Sequence, residues 1–154
     1  MLLFLDFDGC CHRDRAPVDE YFRRSEQFLE PWLRSHADVD VVASSSWREH
    51  YPLDEIREFF ADDLRSRIIS TTPILRRDAW TQYDGELPPM RYEREAEITR
   101  WLHQSVAPWR PWVALDDQPW LYAPFSRHLV VCDPATGMSQ HDLDQAETIL
   151  RGQR

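Results

Sequence analysis

Residues 1–10 read MLLFLDFDGC. Leu2 to Leu5 are an unbroken apolar run, the pattern of a strand buried on both faces. Asp6 and Asp8 follow directly, and Gly9 ends the run. Side chains alternate along a strand, so an extended chain would place both carboxylates on one side. Two like charges there repel, and either a cation must offset them or one must stay protonated.

The rest of the chain repeats the theme. Tyr21, Phe22, Phe28, Leu29, Trp32 and Leu33 recur at helical spacing, with Asp19 as an N-cap and Pro31 as a kink or restart. Val39 and Val41 to Ala43 predict a second strand that runs into Ser44, Ser45 and Ser46. Ile56, Phe59, Phe60 and Leu64 predict a second helix, and Ile68 and Ile69 a third strand. Residues 71–92 lose periodicity and contain Pro73, Pro88 and Pro89, which reads as a small lid or substrate loop. Helical spacing returns at Ala96, Ile98, Trp101 and Leu102. Strands at 112–115 and 129–132 follow, the first running into Asp116 and Asp117. Ser139 and Asp142 resemble a capping box ahead of a last helix closed by Gly152. The alternation predicts a single α/β domain over 1–154: a three-layer α/β/α sandwich around a mostly parallel, Rossmann-like five-stranded sheet with minimal or no cap.

Bulk composition narrows the function classes. The formal net charge of −9 argues against a general polyanion-coating protein but leaves room for a local basic pocket. All 18 basic residues are Arg, so a fixed cation must be Arg or a metal. Cys10, Cys11 and Cys132 are an odd count without zinc spacing, which fits a cytoplasmic protein better than a disulfide framework. The apolar start is too short for a signal peptide and lacks a basic flank, and no stretch nears the ~18 apolar residues of a membrane span.

In an open α/β sheet, ligands bind beyond the carboxyl ends of the strands. There Asp6, Asp8, Asp116 and Asp117 would converge with the serines. Four carboxylates in one cleft call for a cation, and an oxygen-rich set favours Mg²⁺. One carboxylate can attack phosphorus while another carries the proton of the leaving oxygen.

In this order the motifs resemble the haloacid-dehalogenase-like (HAD) phosphatase superfamily. Asp6-Phe7-Asp8-Gly9 matches the first motif, Ser44 the second, an Arg at a helix start the third, and Asp116-Asp117 the fourth. The segments SSSWRE, REAEITRWL, VALDDQ and DPATGMSQHDLDQA are similar, more narrowly, to the HAD domain of Swiss army knife RNA-repair proteins. The resemblance implies Asp6 as nucleophile and Asp8 as general acid and base, with its backbone carbonyl also toward the metal. Ser44 and Arg94 would hold the phosphoryl oxygens, with Ser45 and Arg91 as further substrate-binding residues. Asp116, with Asp117, would complete a Mg²⁺ site shared with Asp6 and Asp8. It departs from the family in having Cys10 after the first motif and no Lys for the third.

The expected substrate is a phosphorylated small molecule or nucleic-acid end. The alternatives are a phosphate-end binding module without turnover and a phosphotransferase to an alcohol. Trp80, Tyr83, Tyr92, Trp109, Trp112, Trp120, Tyr122 and Phe125, with Arg76, Arg77 and Arg110 nearby, read either as packing or as base-stacking surfaces. His12, His50, His103, His128 and His141 show no ligand spacing and read as core or surface residues.

Overall fold

The computed structural model describes residues 1–75 and 92–153. Five parallel strands form one sheet: β1 (Leu2–Leu5), β2 (Asp40–Ala43), β3 (Ile68–Thr71), β4 (Trp112–Asp116) and β5 (Leu129–Val131). Their order is β3-β2-β1-β4-β5, so the strand that opens the chain lies at the centre. Leu5 pairs with Ala43 on one side and Leu115 on the other. Among the described residues, four α-helices follow the strands: α1 (Glu30–Ser35), α2 (Leu53–Glu58), α3 (Glu93–Gln104) and α4 (Gln140–Arg151).

Strand alternation divides the core in two. Leu3, Leu5, Val41, Ala43, Val113, Leu115 and Val130 meet Leu29, Trp32, Leu33, Ile56, Leu143, Ala146 and Leu150 from α1, α2 and α4 and the turn before α1. Leu2, Phe4, Val42 and Ala114 meet Ile98 and Leu102 of α3 and the loop residue Tyr122. Phe4 lies edge-on to Trp101 and Trp112, at 5.5 and 5.6 Å between ring centres. Apolar side chains on both faces explain why β1 has no polar residue, and the result is the three-layer HAD-like sandwich.

Two local expectations are corrected. No continuous helix begins after Asp19. Asp19 lies within a short 3₁₀ turn, Phe22 takes a left-handed φ of 59°, and a wide π-helical turn spans Ser25–Leu29. Pro31 falls in the first turn of α1, where its missing N–H costs nothing, so it restarts the helix rather than kinking it. The second helix is shorter than its apolar spacing implied: α2 stops at Glu58, yet Phe60 and Leu64 still reach the core from the turns beyond. The capping box is present, Ser139 and Asp142 each satisfying the other's orphan group. Gly152 closes α4 in a right-handed conformation, with its N–H on the Thr148 carbonyl.

Candidate active site

Parallel strands deliver the exits of β1, β2 and β4 to one edge. The alternation of β1 continues two residues past its end: Phe7 enters the core beneath α1, α2 and α4, and Asp6 turns to the α3 side. There Arg94, the second residue of α3, places Nη2 3.8 Å from Asp6 Oδ1 and Nε 3.4 Å from Asp116 Oδ2. All three side chains are nearly excluded from solvent. Asp116 is held further by Tyr122, whose hydroxyl donates to Oδ2 at 3.0 Å, and by the Gln118 N–H on Oδ1 at 2.9 Å. Asp117 closes over Gly9, where a Cβ would lie 2.5 Å from the Asp117 carboxyl carbon. Ser44 continues β2 alongside Asp6, its N–H bonded to the Leu5 carbonyl at 2.9 Å.

One carboxylate oxygen from each of Asp6, Asp116 and Asp117 lies within 4.8 Å of the others. Burial drives the Asp6 carboxyl up to about 6, against the pull of Arg94 and with a push from Asp117. Burial and then Asp6 drive Asp116 to about 7, again against Arg94. Burial and Asp116 also raise Asp117. Among the described residues, three crowded carboxylates with one Arg are short of positive charge. Hard oxygen donors at this spacing, with Asp117 Oδ1 lacking a partner among the described residues, fit a divalent cation such as Mg²⁺.

Unmet hydrogen-bonding groups collect around Asp6. Arg94 Nε and Nη1 and the fully buried Ser44 hydroxyl have no hydrogen-bond partner among the described residues. A buried cation near the positive end of a helix is unfavourable by itself, and unused donors add to that cost. The Ser45 hydroxyl helps to lower the Asp6 carboxyl and also accepts from the Trp47 N–H at 3.4 Å.

Asp8 does not share Asp6's surroundings. The N–H groups of Cys10 and Cys11 both bond to the Phe7 carbonyl, wrapping the chain before the alternation reaches Asp8. Its Oδ1 lies 3.0 Å from His12 Nε2, and its Oδ2 accepts from the Trp47 indole at 2.8 Å. These bonds, His12 first, lower the Asp8 carboxyl below its ordinary value. The side chain of Asp8 is 45% exposed and lies outside the trio of carboxylates.

Sequence reasoning missed the frame around these groups. Arg48 donates to the carbonyls of Ser44, Ser45 and Thr72 and pairs with Glu97 at 2.5 Å, both side chains 4% exposed. Glu97 in turn accepts the Leu75 N–H, so one buried pair ties the exits of β2 and β3 to α3. The signal was available: Arg94 and Glu97 are one turn apart, and SSSWRE put Arg48 just past the serines. Tyr122 belongs with Asp116, and Trp112 with the core. Trp109, Trp120 and Phe125 are well exposed. Arg91, Arg76, Arg77, Trp80 and Tyr83 and most of the expected lid at 71–92 lie outside the described residues.

Residues 2–143 match the family described as the HAD domain in Swiss Army Knife RNA repair proteins, and the chain belongs to that family. No match was found among curated proteins or among solved structures. Among the described residues, no helix is long and apolar enough to cross a membrane.

Proposed function

We propose that the protein is a Mg²⁺-dependent phosphohydrolase that cleaves phosphate monoesters through an aspartyl phosphate on Asp6, with nucleic-acid ends or nucleotides as its substrates. The observation that carries this reading is the buried carboxylate of Asp6 among unused donors of Arg94 and Ser44. A tetrahedral phosphate offers the acceptor oxygens those donors lack, and Arg suits them well. Membership in an RNA-repair family supports the substrate class.

In the first half-reaction Asp6 forms a bond to phosphorus as the bond to the leaving oxygen breaks. Asp8 gives its proton to that oxygen. Its lowered carboxyl must first take up this proton, which the negative charge of an arriving phosphate favours. In the second half-reaction a water oxygen bonds to phosphorus, its proton passes to Asp8, and the bond to Asp6 breaks. Ester and water have become alcohol and phosphate, and both aspartates are restored. Arg94, Ser44 and Ser45 would hold the phosphoryl oxygens throughout. Asp6, Asp116, Asp117 and the backbone carbonyl of Asp8 would hold Mg²⁺. When bound, it supplies charge neutralisation for the transferring group.

The test is hydrolysis of p-nitrophenyl phosphate with Mg²⁺, with EDTA, and by Asp6→Asn. We expect turnover that requires Mg²⁺ and falls by more than about 10³-fold in the variant, since the nucleophile itself is gone. Turnover that survives Asp6→Asn would sink the mechanism. A panel of phosphorylated RNA ends, nucleotides and sugar phosphates then tests the substrate class, which fails if only the sugars react. Product analysis with added alcohol separates hydrolysis from phosphotransfer.

A further inference from the structure

We infer that His12 and Trp47 are positioning residues that fix the Asp8 carboxylate for proton delivery to the leaving oxygen. The inference rests on the phosphohydrolase reading above and adds two residues to it.

The geometry is a clamp with one open side. A carboxylate has about four lone-pair sites. With its proton on Nε2, His12 takes one on Oδ1 at 3.0 Å, and the Trp47 indole takes one on Oδ2 at 2.8 Å. Each oxygen keeps another, and the side chain is 45% exposed. An Asp on a turn would otherwise sample several rotamers. Two donors on two different oxygens fix both the position and the plane of the carboxylate.

The donors cannot readily move. His12 is 1% exposed and stacks on Tyr21 at 4.6 Å between ring centres, with Phe22 and Trp47 at 5.8 and 5.9 Å. Trp47 packs edge-on against Phe22 at 5.6 Å and Phe59 at 5.4 Å. Packing alone does not account for the histidine. A polar ring in an aromatic cage is costly, and His12 Nδ1 has no hydrogen-bond partner among the described residues. A phenylalanine would fill the space without that cost. What the imidazole adds is the bond to Asp8.

The mechanism gives this a distinctive readout. Proton delivery matters most when the leaving oxygen is a poor one. An alkyl phosphate needs the proton as its bond to phosphorus breaks, whereas p-nitrophenolate departs without it. kcat/KM reports this first half-reaction, because the leaving group is lost there.

The experiment uses His12→Phe and Trp47→Phe, which keep an aromatic ring and remove the donor. kcat/KM is measured for an alkyl phosphate and for p-nitrophenyl phosphate. The alkyl-to-aryl ratio should fall about tenfold or more in each variant, a fraction of the 10²–10⁴ a positioned acid contributes. Asp8→Asn should show the same pattern more strongly. Equal losses on both esters, or no change in the ratio, would overturn the inference, since lost packing or lost stability lowers both alike. If His12→Phe does not fold, the ratio for Trp47→Phe decides alone. Hydrolysis that Asp6→Asn leaves unaffected would instead refute the aspartyl-phosphate mechanism, and this inference with it.

Discussion

At Gly9 the backbone takes a φ of +72°, and a Cβ there would come within 2.5 Å of the Asp117 carboxyl. One residue thus supplies both the left-handed turn after Asp8 and the space for Asp117. Gly9→Ala should cost roughly 1–2 kcal/mol from the backbone alone. It should also displace Asp117, raising the Mg²⁺ concentration for half-maximal activity about tenfold. Magnesium titration of turnover checks this, and an unchanged midpoint would mean that Asp117 tolerates the shift. The contrast between Asp6 and Asp8 shows where sequence stopped being enough. Asp6 was legible because the period of β1 carries through to it. Asp8 was expected beside it, but the turn starting at Phe7 sends it to His12 and Trp47 instead. Nothing in a spacing of two residues encodes that turn. His12 lacked ligand spacing because its partner is a carboxylate of its own turn.

Helix α3 connects the site to the frame. Its Arg94 faces Asp6 and Asp116, its Glu97 holds Arg48, and its Ile98 and Leu102 bury against the sheet. Breaking a buried ion pair leaves an uncompensated charge, which typically costs about 3–5 kcal/mol. Glu97→Leu should therefore be strongly destabilising. The double variant Arg48→Met/Glu97→Leu should recover much of the loss. Chemical denaturation of the three proteins checks the order; a double variant weaker than the single would show that the Arg48 bonds to the Ser44, Ser45 and Thr72 carbonyls dominate. At this scale the strands were readable from their apolar runs and α4 from its capping box. The region before α1 was not. Its apolar spacing is helical, but Phe22 sits in a left-handed conformation that tertiary packing against Phe7, Trp47 and Phe59 enforces.

Across the whole molecule, charge sets the dependence on pH. Asp6 and Asp116 rise in the fold from 3.8 to about 6 and about 7. Between about pH 4 and 7 the native state therefore keeps protons that the unfolded chain has released, and stability falls as pH rises through that window. Asp8 is lowered, so its contribution is present above the ordinary carboxylate range and lost on acidification below it. The net charge of −9 adds repulsion in the same direction as the raised pair. The metal-free protein should melt highest near pH 5 and a few degrees lower by pH 8. Mg²⁺ should remove most of that decline, because a cation stabilises the ionised trio. Melting curves at several pH values, with and without Mg²⁺, check both statements; a metal-free melting temperature that rises toward pH 8 would contradict the carboxylate assignment. The sheet and its three polar exits, at the ends of β1, β2 and β4, were legible because parallel order gathers strand ends in a known way. The Arg48–Glu97 frame was not, since residues 49 positions apart meet only through the fold.

The central place of β1 also governs the order of events as the chain folds. Leu2 pairs with Asp40 on one side and with Trp112 on the other. The pairings that bring Ser44 and Asp116 beside Asp6 close long loops, whereas helical turns need only local contacts. A refolding chain would gain helical signal early and gather Asp6, Ser44 and Asp116 only when β1 has paired with both β2 and β4. Return of the proposed activity would then be a clock for those two pairings.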